Sequence, residues 1–279
     1  MADQAQGLRL MLAGGPLSSR TSSVPGRSVA VVSGKGGVGK TLVSTNLAVV
    51  AARRGLRTVV IDGDLGLANA DVVLGARPTH TLEEVLAGQC TAQQALVTGV
   101  EGVCLVAGGS GPSWLARMGP EARLAMKALL GELERSFDLV IIDCGAGIGD
   151  TVLFLAGLAD ERLLVVTPEP TAIVDAYAMS KAMSDAGIGH ATVVVNCALT
   201  LTEAEACFSK LEAVAARFLP IALSFAGSIA RDDAVRRAVM GRRPVVVDAP
   251  SSRASQGFLR LEGRLSLTAG ARRPRLEQR

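Results

Sequence analysis

The chain has 279 residues, 49% of them hydrophobic and only 3% aromatic. That is enough for one large α/β domain with a core of Val, Leu, Ala and Ile. A net charge of +3 with a pI near 8.7 is too mild to demand nucleic acid, and five cysteines without C-x-x-C spacing argue against a disulfide framework and for reduced, mostly buried thiols.

Residues 1–12 read as a short helix with Ala5, Leu8 and Leu12 on one apolar stripe. Alone, a helix this short is marginal in water, so it either docks or frays. The stretch 13–27 is rich in Gly, Ser and Pro and reads as a linker. The N-terminus has no basic region followed by an apolar one, and no run approaches a membrane span. Together these predict a cytoplasmic protein.

Val29-Ala30-Val31-Val32 predicts a buried strand, and Leu42 to Arg54 a helix. Between them Ser33-Gly34-Lys35-Gly36-Gly37-Val38-Gly39-Lys40-Thr41 satisfies the Walker A spacing, Gly34, four residues, then Gly39-Lys40-Thr41. In such a loop the backbone N–H groups of Gly34, Gly36, Gly37, Val38, Gly39 and the residues that open the helix, Lys40, Thr41 and Leu42, close around phosphate oxygens at a helix N-terminus. Lys40 reaches the β/γ-phosphates and Thr41 holds Mg²⁺. The expected ligands are therefore ATP and Mg²⁺.

Lys35 is not required by an ordinary Walker A, and by itself is compatible with a solvated surface lysine. With it, Gly34-Lys35-Gly36-Gly37-Val38-Gly39-Lys40-Thr41 resembles the deviant Walker A of the MinD/ParA superfamily. That resemblance implies a doubly wound, mostly parallel α/β sheet flanked by helices, and an ATP-dependent homodimer in which Lys35 crosses to the other subunit's nucleotide and acts in catalysis beside Lys40. Asp3-Gln4-Ala5-Gln6-Gly7-Leu8-Arg9 further resembles the N-terminal motif of the FlhG (FleN, YlxH-type) flagellar-number ATPases. It implies that Asp3, Gln4, Ala5, Leu8 and Arg9 bind the SRP-type GTPase FlhF and stimulate its GTP hydrolysis. The implied process is control of flagellar number or placement, with flagellar switch proteins or a transcriptional activator as further partners.

Thr58 to Asp62 reads as a second buried strand ending in acid. The carboxyl end of a parallel strand is the edge where the phosphate loop emerges. By resemblance, Asp64 lies in switch I and orients the attacking water, and Asp62 lies near the metal. A capped helix is expected at Thr81 to Leu86, a strand at Val103 to Val106, and a loop at Gly108-Gly109-Ser110-Gly111. Pro120 to Arg135 reads as a helix with Leu124, Ala128, Leu129 and Leu133 on its buried face.

Leu139 to Asp143 is the second acid-tipped strand, whose Asp143 has the place of a Walker B metal ligand. Cys144 to Gly149 would be switch II. Thr167 to Tyr177 resembles the TxPEPTAxxDAY segment of the superfamily. A strand from Ala191 ends at Asn196, which by resemblance reads the adenine amine and otherwise is a strand-end turn residue. Ser228 to Val235 occupies the place of the family's base-contacting loop, with Ala230 where relatives commonly have proline. Leu42 likewise replaces a hydroxyl or amide common after the Mg²⁺-binding threonine.

The ATPase domain is expected over 28–267. Its last helix, roughly Ser251 to Leu267, reads as a core helix interrupted by Gly257 and Gly263, followed by a basic tail at 268–279. Transient membrane contact by this helix stays open as an alternative; direct nucleic-acid binding is not expected. Competing functions are a MinD/ParA-like division or segregation ATPase and a metabolic P-loop enzyme. Iron–sulfur variants of the fold are disfavoured by the absence of paired cysteines.

Overall fold

The computed structural model describes residues 26–64, 68–109 and 118–265. The N-terminal motif with Asp3, Gln4, Ala5, Leu8 and Arg9, most of the linker and the basic tail lie outside the described residues. In chain order the elements are β1 (Arg27–Val32), α1 (Lys40–Arg53), β2 (Thr58–Gly63), α2 (Ala70–Leu74), α3 (Leu82–Leu86), α4 (Ala92–Ala95), β3 (Leu96–Thr98), β4 (Cys104–Val106), α5 (Pro120–Ser136) and β5 (Leu139–Cys144). They continue with α6 (Asp150–Leu158), β6 (Glu161–Val166), α7 (Pro170–Asp185), β7 (His190–Ala198), α8 (Leu201–Phe218), β8 (Ala222–Ala230), α9 (Asp233–Met240), α10 (Val245–Asp248) and α11 (Arg253–Leu265).

The strands form one sheet in the order β3-β4-β2-β5-β1-β6-β7-β8. Every neighbouring pair is parallel except β3 with β4. The central strands are apolar on both faces because both are covered. Along β1, Ala30 and Val32 pack with α5, α6, α7 and α8, whereas Val29 and Val31 pack with α1, α9, α10 and α11. This is the expected doubly wound fold.

Local chemistry accounts for several boundaries. Thr81 and Glu84 form a reciprocal capping box at α3, as its sequence predicts. On α5, however, Leu124 and Ala128 face solvent, and Met126, Leu129, Leu130 and Leu133 make the buried face. The stripe is rotated because the sheet lies under Met126 and Leu130, which the shorter pattern overlooked. Gly26 and Arg27, assigned to the linker, belong to the domain. The Gly26 N–H donates to the Glu134 carbonyl at 2.6 Å, and Arg27 opens β1 with an ion pair to Glu161 at 3.1 Å.

Two other expectations shift. Ser228 to Ala230, read as loop, continues β8 along β7, and the turn follows at Arg231 and Asp232, where Asp232 caps α9 by accepting from the Ala234 N–H at 2.9 Å. Gly257 does not interrupt α11. A Cβ there would lie 3.0 Å from the Ser228 carbonyl oxygen, so the glycine lets the helix lie close on β8, with Ala254, Phe258, Leu261 and Leu265 buried beneath it.

Candidate functional site

The phosphate loop joins β1 to α1 at the carboxyl edge of the sheet, beside β5 and β6. Its glycines have specific causes. Gly37 and Gly39 adopt φ of 79° and 93°, which L side chains adopt only at a cost. A Cβ on Gly34 would stand 1.9 Å from the Asp175 carbonyl oxygen of α7. One on Gly39 would stand 2.4 Å from the Asn196 amide nitrogen. Gly36 and Gly37 are exposed and Val38 is buried. From Gly39, α1 starts with the Val43 N–H bonded to the Gly39 carbonyl at 2.9 Å, so the first N–H groups of the helix aim into the loop.

Beneath the loop lie two buried carboxylates. Val31 of β1 and Asp62 of β2 both pair with Asp143 of β5, from opposite sides. Asp143 is buried, and its Oδ1 accepts from the Ser44 hydroxyl at 3.1 Å. The Thr41 hydroxyl also bonds this carboxyl. Among the described residues its Oδ2 is buried without a hydrogen-bond partner. Burial, and then the neighbouring Asp62 charge, push Asp143 up to about 7, while Lys40, itself buried, pulls the other way.

Asp62 serves differently. Its Oδ1 accepts from the Asp64 N–H at 3.1 Å, and its Oδ2 accepts from the Asn69 and Ala70 N–H groups at 3.1 and 3.0 Å. Both oxygens thus hold the segment that follows β2 and the start of α2. Burial pushes Asp62 up to about 6 despite these bonds.

Asp64 is half-buried and lies opposite the turn after β5. A Cβ on Gly145 would stand 3.8 Å from Asp64 Oδ1. The Gly147 N–H, two residues on, donates to the Ser33 carbonyl at 3.2 Å. The segments after β2 and after β5 therefore meet at the foot of the phosphate loop. Ile148 is half exposed there. Cys144, buried beside Asp143, has its thiol pushed up, first by burial and then by that charge.

Lys35 turns toward α7, with its Nζ 3.3 Å from Thr171 Oγ1 and 3.7 Å from Glu169 Oε2. Glu169 is also bonded by the Thr167 hydroxyl. Asn196, two residues before the end of β7, donates from Nδ2 to the Val38 carbonyl at 2.8 Å. Leu42 is half-buried, and its carbonyl accepts from Asn46 Nδ2 at 2.8 Å, so the residue in the departed position belongs to the first turn of α1.

The structure thus gathers Gly34, Lys35, Gly36, Gly37, Val38, Gly39, Lys40, Thr41, Leu42, Asp62, Asp64, Asp143 and Asn196 around one loop. Sequence reasoning missed Ser44, Glu169 and Thr171. Ser44 had a signal: it is a polar residue one turn beyond Thr41 on a helix otherwise buried and apolar at Val43, Leu47 and Ala48. The site also suits its expected ligands. The glycines leave a cradle that a Cβ would fill. Lys40 is buried close enough to Asp143 to pull its carboxyl down, and the orphaned Asp143 oxygen beside the Thr41 hydroxyl is a hard-oxygen donor set of the kind Mg²⁺ takes.

A family profile described as ParA, NUBPL iron-transfer P-loop NTPase, matches residues 26–266. Over 235 residues the chain is 41% identical to the antiactivator FleN of Pseudomonas aeruginosa, covering 84% of each protein. It is 33% identical to the flagellum site-determining protein YlxH of Helicobacter pylori, covering 85% of this chain and 81% of that one. The solved septum site-determining protein MinD complexed with Mg-ADP from Pyrococcus horikoshii superposes with a TM-score of 0.72 at 26% identity, over 86% of this chain and 95% of that chain. On this sheet, this loop and these relatives, the chain is a P-loop ATPase that works on ATP with Mg²⁺, and it belongs to the ParA/MinD family, in the FleN/YlxH branch.

Proposed function

We propose that the protein is an ATP-dependent dimerising switch that regulates flagellar number or placement, acting with an FlhF-type GTPase. The observation that carries the process is the identity with FleN over most of both chains, joined to the N-terminal motif at Asp3, Gln4, Ala5, Leu8 and Arg9. The further partners would be flagellar switch proteins or a transcriptional activator.

In this reading the backbone N–H groups of Gly34 and of Gly36 to Leu42 hold the phosphates, and Lys40 neutralises the β/γ-oxygens. Thr41 and Asp143 are the protein's ligands to Mg²⁺, which when bound shields the charge that develops on the phosphates. Asp62 bears on that metal by its charge beside Asp143, while its oxygens brace switch I. Asp64 orients the attacking water. Asn196 reads the adenine edge from the position at which it now holds Val38. Lys35 leaves Thr171 and Glu169 and crosses to the nucleotide of the second subunit. Hydrolysis then separates the subunits, so that partners distinguish two states.

The domains follow the same plan, with residues 1–12 as the GTPase-activating segment, 13–27 as tether and 268–279 as a basic tail. Among the described residues no helix is long and apolar enough to cross a membrane, and the proposal places the protein in the cytoplasm. A second reading, a MinD-like division regulator, draws on the likeness to MinD. In that case α11 and the residues after it would bind membrane.

The deciding experiment measures GTP hydrolysis by the cognate FlhF-type GTPase with and without a peptide covering Met1 to Ala13. Stimulation that disappears when Asp3, Gln4 and Arg9 are replaced by alanine supports the flagellar reading. No effect of the peptide or the full chain, together with binding of the full chain to anionic vesicles, supports the MinD-like one. Dimerisation is read by light scattering with saturating Mg·ATP and the Asp64→Ala variant, and a persistent monomer overturns the switch.

A further inference from the structure

β8 closes one side of the sheet and, among the described residues, pairs only with β7. Its outer side is flanked by α8 on one face and α11 on the other. Between β8, α11 and the loop after β7 lies a groove of about 430 Å³, with Leu199, Leu201 and Arg264 among its lining and Gly227 and Ser228 of β8 in its wall. That volume is within the range of specific ligand sites.

The lining charge is one-sided. Arg253, Arg260 and Arg264 all line the groove, and among the described residues none that lines it is acidic. The Arg253 guanidinium donates to the Leu199 carbonyl at 2.9 Å and ties the helix to the loop after β7. Arg260 and Arg264, four apart and therefore neighbours on one face of α11, are exposed and make no ion pair or hydrogen bond among the described residues. The nearby carboxylates are turned elsewhere. Glu203 accepts from the Leu199 N–H, Asp232 from the Ala234 and Ala254 N–H groups, and Glu262 of the same helix is buried against Arg54.

The strand is shaped to meet them. Phe225 pairs with Val193 and Gly227 with Val194, leaving Ala226 as an extra residue, a bulge. Gly227 takes φ 115°, and a Cβ there would stand 4.0 Å from the Arg264 guanidinium. Bulges re-aim an edge strand. Leu199 and Leu201 are each more than half exposed, an apolar pair beside a cationic row.

We propose that the groove between the β8 edge and α11 is a docking site for an extended acidic segment of a partner protein, with carboxylates on Arg260 and Arg264 and an apolar side chain against Leu199 and Leu201. Arginines can also serve only to guard a sheet edge from pairing. Guarding charges sit on the edge strand itself, whereas these project from a helix beside it and face a concave space. A peptide fits better than a nucleic acid because the lining offers backbone at a sheet edge and, among the described residues, holds no aromatic ring on which a base would stack.

The test uses the full-length protein and a fluorescein-labelled eight-residue peptide alternating Glu or Asp with Val or Leu, followed by fluorescence anisotropy. A second peptide replaces the acids by Gln and Asn. The acidic peptide is expected to bind at least tenfold more tightly than its neutral counterpart, and Arg260→Glu with Arg264→Glu is expected to weaken it at least tenfold. The variant's ATPase rate and melting temperature should match the parent. Hydrogen exchange in the complex should show protection at 226–230 and 253–264. Equal affinity for the two peptides, unchanged affinity in the variant, or protection elsewhere overturns the proposal. So does binding of duplex DNA or phosphatidylglycerol vesicles that depends on Arg260 and Arg264 when the peptide does not bind.

Discussion

Asn196 locks the phosphate loop from two strands away: its Nδ2 donates to the Val38 carbonyl at 2.8 Å, across the Cα of Gly39, where any Cβ would stand 2.4 Å from the same nitrogen. β6 separates β7 from β1 in the sheet, so a side chain of β7 and the phosphate loop share one contact. Whatever moves one moves the other.

Gly39 and Gly37 should therefore respond differently to alanine. Both have positive φ, which costs an alanine about 1–2 kcal/mol, but among the described residues nothing lies within 4 Å of a Cβ at Gly37. Gly37→Ala is expected to lose about that much stability and keep ATP binding in weakened form. Gly39→Ala also displaces Asn196, and is expected to lose more stability and nearly all nucleotide binding. Thermal melts and titration with a fluorescent ATP analogue compare the two, and equal effects would separate Asn196 from the loop.

Asp62→Asn tests the brace between the end of β2 and the start of α2. The carboxylate accepts three N–H bonds. The amide has one acceptor oxygen, so at least one N–H loses its partner, at about 1–3 kcal/mol. The expected result is a lower melting temperature with hydrogen exchange accelerated at Asp64, Asn69 and Ala70 and unchanged in α8. Uniform acceleration would mean that the whole domain, and not this segment, depends on Asp62.

The acid pair gives the ligand-free protein a particular pH dependence. Asp143 and Asp62 titrate near 7 and 6 in the folded chain, against 3.8 for an ordinary aspartate. Between about pH 4 and 7 the folded state thus binds more protons than the unfolded one, and stability falls as pH rises through that window, levelling above 7. In Asp143→Asn that contribution is absent. Without nucleotide, the variant should gain melting temperature relative to the parent between pH 5 and pH 8. Melting curves that shift in parallel would contradict the assignment.

Lys35 is held by exposed partners, Thr171 and Glu169. An exposed ion pair contributes about 1 kcal/mol or less, so Lys35→Ala should shift the melting temperature by no more than a few degrees. If Lys35 crosses to a second subunit, the same variant should lose Mg·ATP-dependent dimerisation in light scattering. Retained dimerisation would confine Lys35 to its own chain.

The sequence by itself determined the elements whose causes are local. The phosphate loop was legible because glycine spacing, Lys40 and Thr41 are all set within nine residues, between a β-branched run and a helix. The buried strands ending at Asp62 and Asp143 were legible because a parallel strand covered on both faces is apolar throughout, which makes a terminal acid conspicuous. Only the tertiary structure decided which of these meet. The strand order sets Asp143 between Asp62 and the phosphate loop, turns Ser44 onto it, and carries Asn196 to Val38 across 158 residues of chain. It also rotated α5, so that Met126 and Leu130 rather than Leu124 and Ala128 are buried, and left β8 as an open edge beside the arginines of α11. Periodicity reports that a face is apolar, but what lies against that face depends on contacts between distant segments, and those exist only once the sheet has been assembled.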